Sequence, residues 1–371
     1  MDNGRWTLTA IGGLDLRSMT STSRRLPGKR ATILDVAAAA GVSRQTVTRA
    51  MNDMPGIRQE TRERVQELAR ELGYTPSRFA KGLVQGSRTS VGLSIPDLTN
   101  PYYPAFASSV VELATQRGWH VVMDDYGHGG ATGVQSVEHL APQVDAVIGY
   151  LGDAEGEAQA ILGRRPLVVL DQMTGSASGR ICFDYDHAAR TALDHLLAAG
   201  RRQLVYLDAG KNGLPSGPQL MAGRSADPVD RTVSTRGQAF VRAAAEAEIP
   251  LTIVMSPESA AGARRVTQGV LKDRTGIDAI IAFNDLMAAG ALKGVADSGR
   301  TVPTDCAVMG MDGIPLGELL SPELTTLSLD LREVGRAAVE LLDGLLSGAI
   351  TPGGQGSELV LRHRLIVRRS A

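Results

Sequence analysis

No apolar stretch of about 18 residues occurs in this 371-residue sequence, so it offers no membrane-spanning helix. Cysteine is scarce. Cys182 and Cys306 stand far apart and fit no metal or redox spacing, which excludes a disulfide scaffold and suits a reducing cytoplasm. The first thirty residues contain no apolar h-region. Arg24, Arg25, Lys29 and Arg30 make them polar and basic, a flexible arm over 1–30 rather than a secretory signal. Nor is there a nucleophile elbow or a zinc-ligand spacing. The run Gly127-His-Gly-Gly-Ala-Thr-Gly133 lacks the Lys-Ser/Thr pair of a phosphate loop and reads as a flexible loop. Nothing in this specifies an enzyme, a metal or a cofactor. The net charge of −1 gives by itself no reason to expect nucleic acid.

What is present is unevenly distributed. A chain that is 43% hydrophobic and 21% charged is globular, and its length suits two or three domains. Between Arg24 and Arg88 thirteen Arg and Lys stand against six Asp and Glu, about +7, which leaves about −8 for the remainder. A basic head on an acidic body is the electrostatic footprint of a DNA-binding module joined to another unit. On charge alone an ordinary solvated face would look the same, so spacing has to decide.

Thr32-x-x-Asp35 forms the pattern of a capping box, followed by Val36, Ala37 and Ala40 at helical spacing. Gly41 ends that helix, and Ser43 is a good N-cap for a second one from Arg44 to about Met51, with Val47, Ala50 and Met51 as its buried face. Two short helices joined by a Gly-containing turn are the helix-turn-helix unit, whose second helix aims its N-terminal residues at base edges. Here those residues are Arg44, Gln45 and Arg49. Arg can grip guanine and Gln adenine bidentately, while Ser43, Thr46 and Thr48 are short donors suited to phosphate. A third helix, about Gln59 to Leu72, carries Val65, Leu68, Ala69 and Leu72 as its core stripe.

The run from Thr32 through Val36-Ala-Ala-Ala-Ala-Gly-Val-Ser-Arg-Gln-Thr-Val-Thr-Arg-Ala-Met-Asn52 resembles the head of LacI-type (lactose repressor family) regulators. The resemblance continues through Thr61-Arg-Glu-Arg-Val65, Leu72-Gly-Tyr-Thr-Pro76, Ala80-Lys-Gly-Leu83 and Val91 to Tyr103, and covers nearly everything from Thr32 onward. It implies a helix-turn-helix domain over 31–76 and a hinge helix or linker over 77–88, then an effector-binding and dimerisation domain over 89–371. In such a family the hinge folds on the operator and a leucine wedges into the minor groove. That leucine matches Leu83, with Ala80 beside it, although an ordinary core leucine is the plainer alternative. Thr32, Asn52, Tyr74 and Ser77 complete the implied DNA-contacting set. Ser77 stands where the family usually has Asn, and Arg58 where it usually has a Ser capping the third helix.

From Thr89 onward, short β-branched runs alternate with amphipathic helices, the pattern of parallel sheets covered on both faces. Two such sets imply two doubly wound lobes resembling periplasmic sugar-binding proteins, about 89–190 plus 325–340 and about 191–324 plus 341–371, with the lobe crossover near Leu324-Thr-Thr326. A last strand is expected over Leu359 to Val367, and 210–231, rich in Gly, Pro and Ser, reads as a surface excursion.

In α/β lobes ligands sit outside the carboxyl ends of strands. Tyr102 and Tyr103 follow the first strand, where their faces could stack on a ring. Asp171, Asn284 and Asp312 end later strands, and Arg236 matches an arginine that the family uses on effectors. Asp171 and Asp312 as loop caps and Asn284 as a helix cap remain open. Carboxylates, an amide and a guanidinium suit a polyhydroxylated effector. A sugar is favoured, with a nucleobase or other metabolite as the alternative.

The sequence ends without leucine heptads, so a homodimer on a palindromic double-stranded operator is expected rather than a tetramer. The reading is a cytoplasmic, nucleoid-associated repressor under small-molecule control, not an enzyme. A periplasmic binding protein would share the body but start with a signal peptide.

Overall fold

A computed structural model describes residues 32–51, 54–72, 89–127, 131–209, 220–222 and 233–371. The chain divides into two compact units, Met1–Ser87 and Arg88–Ala371. The basic arm over 1–30 and the hinge over 77–88, with Asn52, Tyr74, Ser77, Ala80 and Leu83, lie outside the described residues.

Among its described residues the first unit contains three helices, α1 (Ile33–Ala40), α2 (Arg44–Met51) and α3 (Gln59–Glu71). Thr32 and Asp35 close a reciprocal capping box at the start of α1, and Gly41 ends the helix at φ 62°, a left-handed conformation that costs glycine nothing. Val36, Ala37, Ala40, Val47, Ala50, Val65 and Ala69 form its core, flanked by half-buried Met51, Leu68 and Leu72. These are small side chains, so the helices approach closely. α3 also ties the other two down. Arg64 donates to the carbonyl of Ala40, Gln66 to that of Ala50 at 3.0 Å and Arg62 to that of Met54 at 2.9 Å. Carbonyls left over at helix ends are thereby paired.

The second unit has two sheets. The first has strand order β12-β5-β4-β3-β1-β2, from β1 (Ser90–Ile95), β2 (His120–Asp125), β3 (Ala146–Gly149), β4 (Leu167–Leu170), β5 (Gly179–Phe183) and β12 (Glu358–Leu361), and every pairing is parallel. The second has order β13-β11-β10-β9-β6-β8-β7, from β6 (Leu204–Asp208), β7 (Leu220–Ala222), β8 (Leu251–Met255), β9 (Ala279–Ala282), β10 (Ala307–Asp312), β11 (Thr325–Ser328) and β13 (Arg364–Ile366). Its interior pairings are parallel, while the edge strands β7 and β13 run antiparallel. Central strands are mostly apolar; Val91, Leu93, Ile95, Ile280 and Val308, for example, are fully buried, as two-sided coverage demands.

Helices α4 (Tyr102–Gln116), α5 (Gly133–Leu140), α6 (Glu155–Leu162), α7 (Tyr185–Ala198), α8 (Thr235–Glu246), α9 (Ala260–Asp273), α10 (Asp285–Asp297), α11 (Leu316–Leu319) and α12 (Leu331–Ser347) supply that coverage. α12 packs on α4, and a Cβ at Gly335 would come within 2.3 Å of Ser109 Oγ, so the approach depends on the glycine.

The structure corrects the expected division of the C-terminal stretch. β11 belongs to the second sheet, so the crossover follows Ser328 instead of lying at Leu324-Thr-Thr326. α12 and β12 return to the first lobe, because the apolar stripe Val334, Ala338, Leu341, Leu342 and Leu345 faces that lobe's core. The single strand expected over Leu359–Val367 is two, β12 and β13, one in each sheet, with Arg362 and His363 crossing between them. The segment 210–231, read as a loop, contributes the edge strand β7. Gly133, read as the end of a flexible loop, opens α5 under a Thr132–Gln135 capping box.

Candidate functional site

In the first unit Ser43 Oγ accepts the backbone N–H of Thr46 at 3.1 Å and lies 2.9 Å from Thr46 Oγ1, fixing the entry to α2. Thr48 Oγ1 donates to the Arg44 carbonyl at 3.1 Å. Thr32 spends its hydroxyl on Asp35 at 2.8 Å. Arg44, Gln45 and Arg49 are exposed on the side of α2 opposite Val47 and Ala50. The helix thus presents two guanidiniums and an amide outward on a scaffold held by its own caps.

In the second unit the expected residues converge at the carboxyl ends of both sheets. Ser234 caps α8, and a Cβ at Gly237 would lie 2.2 Å from Asp208 Oδ2, so the glycine lets the helix start sit directly against the end of β6. That placement aims Arg236 between the lobes. Its Nη1 donates to Asp312 Oδ1 at 3.1 Å and to the Phe283 carbonyl at 2.9 Å, and its Nε donates to Tyr185 Oη at 3.1 Å. The guanidinium carbon lies 4.5 Å from the centre of the Phe283 ring and 5.4 Å from that of Tyr185. Tyr185 then donates to Asp171 Oδ1 at 2.7 Å. Asp171 ends β4 in the first lobe, so this chain of bonds joins the lobes.

A second chain runs beside it. Asn284 caps α10 by accepting the Met287 N–H at 2.8 Å, and its free amide Nδ2 donates to Glu258 Oε1 at 2.9 Å. Asn100 of the first lobe, whose Oδ1 accepts the Tyr102 N–H at 3.2 Å, is close enough to Glu258 to lower its carboxyl. Asn284 is therefore both helix cap and cleft residue.

Burial sets the electrostatics. It pushes the Asp312 carboxyl up to about 8, with Arg236 opposing and Asp285 adding to the rise. Burial also raises Asp171, and desolvation of its carboxyl raises Glu258 although that residue as a whole keeps solvent exposure; Arg236 is the positive neighbour that opposes the rise in both. Asp171 at φ 62° and Asp312 at φ 123° hold backbone conformations that non-glycine residues avoid, a strain that the turns around them must sustain. Asp285 supports the second of these turns, accepting from Ile314 N at 2.9 Å and Thr326 Oγ1 at 2.5 Å.

The two tyrosines divide. Tyr102 is 3% exposed, with its hydroxyl 2.7 Å from that of Tyr150 and its ring edge-on to Tyr103 and Tyr150. Its face is not available for stacking, contrary to expectation, because α4 turns it into the lobe core. Tyr103, edge-on to the rings of Tyr102 and Tyr150, is only partly buried. Sequence reasoning missed Tyr185, Glu258 and His363. The first two follow β5 and β8 closely, and the strand-end rule that found Asp171 would have found them. His363 carries no such signal. It is 2% exposed on the crossing between β12 and β13, its ring 5.6 Å from that of Tyr185, and neither nitrogen has a hydrogen-bond partner among the described residues. Burial, with Arg236 adding, depresses it to about 3.

Among the described residues no group of three His, Cys, Asp or Glu is placed to hold a metal, and no helix is long and apolar enough to cross a membrane.

Residues 32–77 match the model of bacterial regulatory proteins of the lacI family, and 193–371 match a periplasmic binding protein-like domain. The ribose operon repressor of Halalkalibacterium halodurans is 30% identical over 315 residues, covering 84% of this chain and 89% of that protein. The chain belongs to the LacI family. It is a ligand-responsive, DNA-binding transcription regulator. The HTH-type transcriptional regulator reg1 of Streptomyces lividans is 31% identical over 350 residues, 91% of this LacI-family chain and 96% of the relative. A crystal structure of a LacI family transcriptional regulator from Arthrobacter sp. FB24, in complex with lactose, is 57% identical with a TM-score of 0.70, covering 77% of this chain and all of that one. A Lac repressor structure bound to ONPG in the repressed state is 25% identical with a TM-score of 0.65, covering 92% of this chain. The helical head and the two-lobed α/β body of this LacI-family protein are the parts that those matches span.

Proposed function

We propose that this regulator is a repressor that binds a two-fold symmetric operator as a homodimer, and that a sugar held between its lobes sets its operator affinity. The observation that carries the ligand class is the polar meeting point of the lobes: Asp171, Asp312, Glu258, Asn100, Asn284, Arg236 and Tyr185. Carboxylates and amides pair bidentately with neighbouring hydroxyls, and partly buried Tyr103 offers a ring an aromatic surface. The lactose complex of the Arthrobacter relative makes a lactose-like disaccharide the first ligand to try.

In the head, Arg44, Gln45 and Arg49 read base edges in the major groove, while Ser43, Thr46 and Thr48 hold phosphate and Thr32 lies in the contacting set at the start of α1. By family resemblance Asn52, Tyr74, Ser77 and Ala80 contact the operator and Leu83 wedges into the minor groove. The ligand is bound and released unchanged, in the cytoplasm and at the nucleoid. A ligand that contacts the lobes differently in two arrangements shifts the balance between them and with it operator affinity.

Thermal unfolding of the full chain with lactose, cellobiose, ribose and hypoxanthine, paired with anisotropy on a selected operator, tests this. A true effector at 100 times its Kd adds about 2.7 kcal/mol of stability. The same compound changes operator affinity by about fivefold or more. Response to hypoxanthine and to none of the sugars would replace the ligand class.

A further inference from the structure

The inter-lobe site has more acidic than basic side chains. Asp171, Asp312 and Glu258 face it, and Asp97 acts on Glu258 from nearby. Arg236 is the positive neighbour common to all three, and it is already committed: Nη1 serves Asp312 and the Phe283 carbonyl, Nε serves Tyr185, and two aromatic rings flank the guanidinium. A ligand phosphate or carboxylate would have to compete with Asp312 for this cation while lying near two further carboxylates.

Glu258 occupies a particular place in this arrangement. It lies between β8 and α9 and keeps solvent exposure, whereas Asp312 is 3% exposed. It accepts from Asn284 of its own lobe at 2.9 Å, and Asn100 of the other lobe also acts on its carboxyl. A group entering between the lobes therefore meets the Glu258 carboxylate before the buried acids.

Resting on the reading of this cleft as a sugar site, we propose that Glu258 is its specificity residue for charge, admitting uncharged polyols and turning away phosphorylated or carboxylated ones. The Asn284 amide beside it donates to hydroxyl oxygens while the Glu258 carboxylate accepts from hydroxyls, so an uncharged sugar finds both donors and acceptors there. An anion finds the donors already neutralised by a carboxylate. Like charges brought together in a partly desolvated site repel far more than in water.

The test uses the full-length protein and matched pairs: lactose with lactose 6-phosphate, cellobiose with cellobiose 6-phosphate, and ribose with ribose 5-phosphate, titrated calorimetrically. In at least one pair the wild type should bind the uncharged member about 30-fold more tightly, and Glu258→Gln should shrink that ratio about tenfold, the repulsion from one removed charge. The glutamine keeps an acceptor oxygen for Asn284, so the ratio within a pair, rather than the affinity for either sugar, is the readout. Raising salt should narrow the wild-type ratio and leave the variant's nearly unchanged. A thermal melt and operator binding establish that the variant is folded. A wild type that prefers a phosphorylated member, or a variant whose ratio is unchanged, overturns the charge role and leaves the sugar reading standing. Failure of all six compounds removes the sugar reading and this inference with it.

Discussion

In the head, cationic side chains stay at the surface and close helix ends; in the body, the central cation is inside. Arg64 reaches the backbone carbonyl at the end of α1 and Arg62 one in the loop after α2, and Arg44 and Arg49 are exposed on the outer face of α2. Arg236, by contrast, is 9% exposed and bound to Asp312, Tyr185 and the Phe283 carbonyl. Contacts like those in the head are worth fractions of a kcal/mol to about 1 each. A buried pair gains much more Coulomb energy but must first offset its desolvation, so losing one partner costs more than the pair was worth. The head can therefore keep its contact residues apart from its stability, while the body uses one set of residues for both.

The hardest way to break this contrast is Arg236→Ala. It leaves Asp312 without its ion-pair partner and Tyr185 without its donor, and should destabilise the body by about 3–5 kcal/mol, with ligand binding lost. Urea unfolding of the full chain measures it. A loss under about 1 kcal/mol would mean that the cluster relaxes without its cation, and stability and binding would then be separable in the body too.

In the head the corresponding change should act on recognition alone. Arg44→Ala should cost about 1–3 kcal/mol at one position of each operator half-site if the contact is bidentate to a guanine. The melting temperature should barely move. Binding measured across operators substituted at each position would reveal it. A uniform loss over all of them would make Arg44 a phosphate contact.

The same contrast explains what the sequence made legible. In the head the informative residues are neighbours along the chain: the capping box Thr32–Asp35, the Gly41 stop, the Ser43 cap and the Val47–Ala50 face all lie within one or two turns of their partners, and all take the expected form. In the body, alternation of strands and helices exposed the two lobes, and strand ends exposed Asp171, Asn284 and Asp312. What stayed hidden depends on distant pairings. Sheet membership of β11, β12 and β13 is decided by partners such as Arg180 for Glu358 and Thr326 for Ile366, which no local spacing records. Tyr102 and Tyr103 are adjacent and chemically identical, and only the packing of α4 turns one inward.

Acid should separate the regions again. All six histidines lie beyond residue 119, so the head has none. His363 is depressed to about 3 in the fold, while an unfolded imidazole titrates near 6.5. Below about pH 6.5 the unfolded chain takes up the proton and the folded chain does not, so stability present above that pH is lost as pH falls toward 3. Within this window the loss runs at about 1.4 kcal/mol per pH unit. His363→Phe should flatten the body's response between pH 6.5 and 5.5 in urea titrations. Parallel curves for variant and wild type would mean that His363 takes no part in the body's acid response.

The smallest effect belongs to the N-terminus of α3, where Arg58 stands as an exposed N-cap with no side-chain bond to the helix. Its backbone, φ −68° and ψ 145°, is already the extended conformation that a capping serine adopts. Arg58→Ser should therefore add a hydrogen bond to an unpaired N–H and remove a positive charge from the positive end of the helix dipole, a gain of about 0.5–1 kcal/mol. If Arg58 earns its place on DNA, the stabilised variant should bind all sequences more weakly, with the slope of log affinity against log salt reduced by about 1. A variant that is more stable and binds with an unchanged salt slope would leave the arginine without a phosphate to hold. A weaker, less salt-dependent complex would make this the one position in the head where, as throughout the cleft, stability has been given up for a contact.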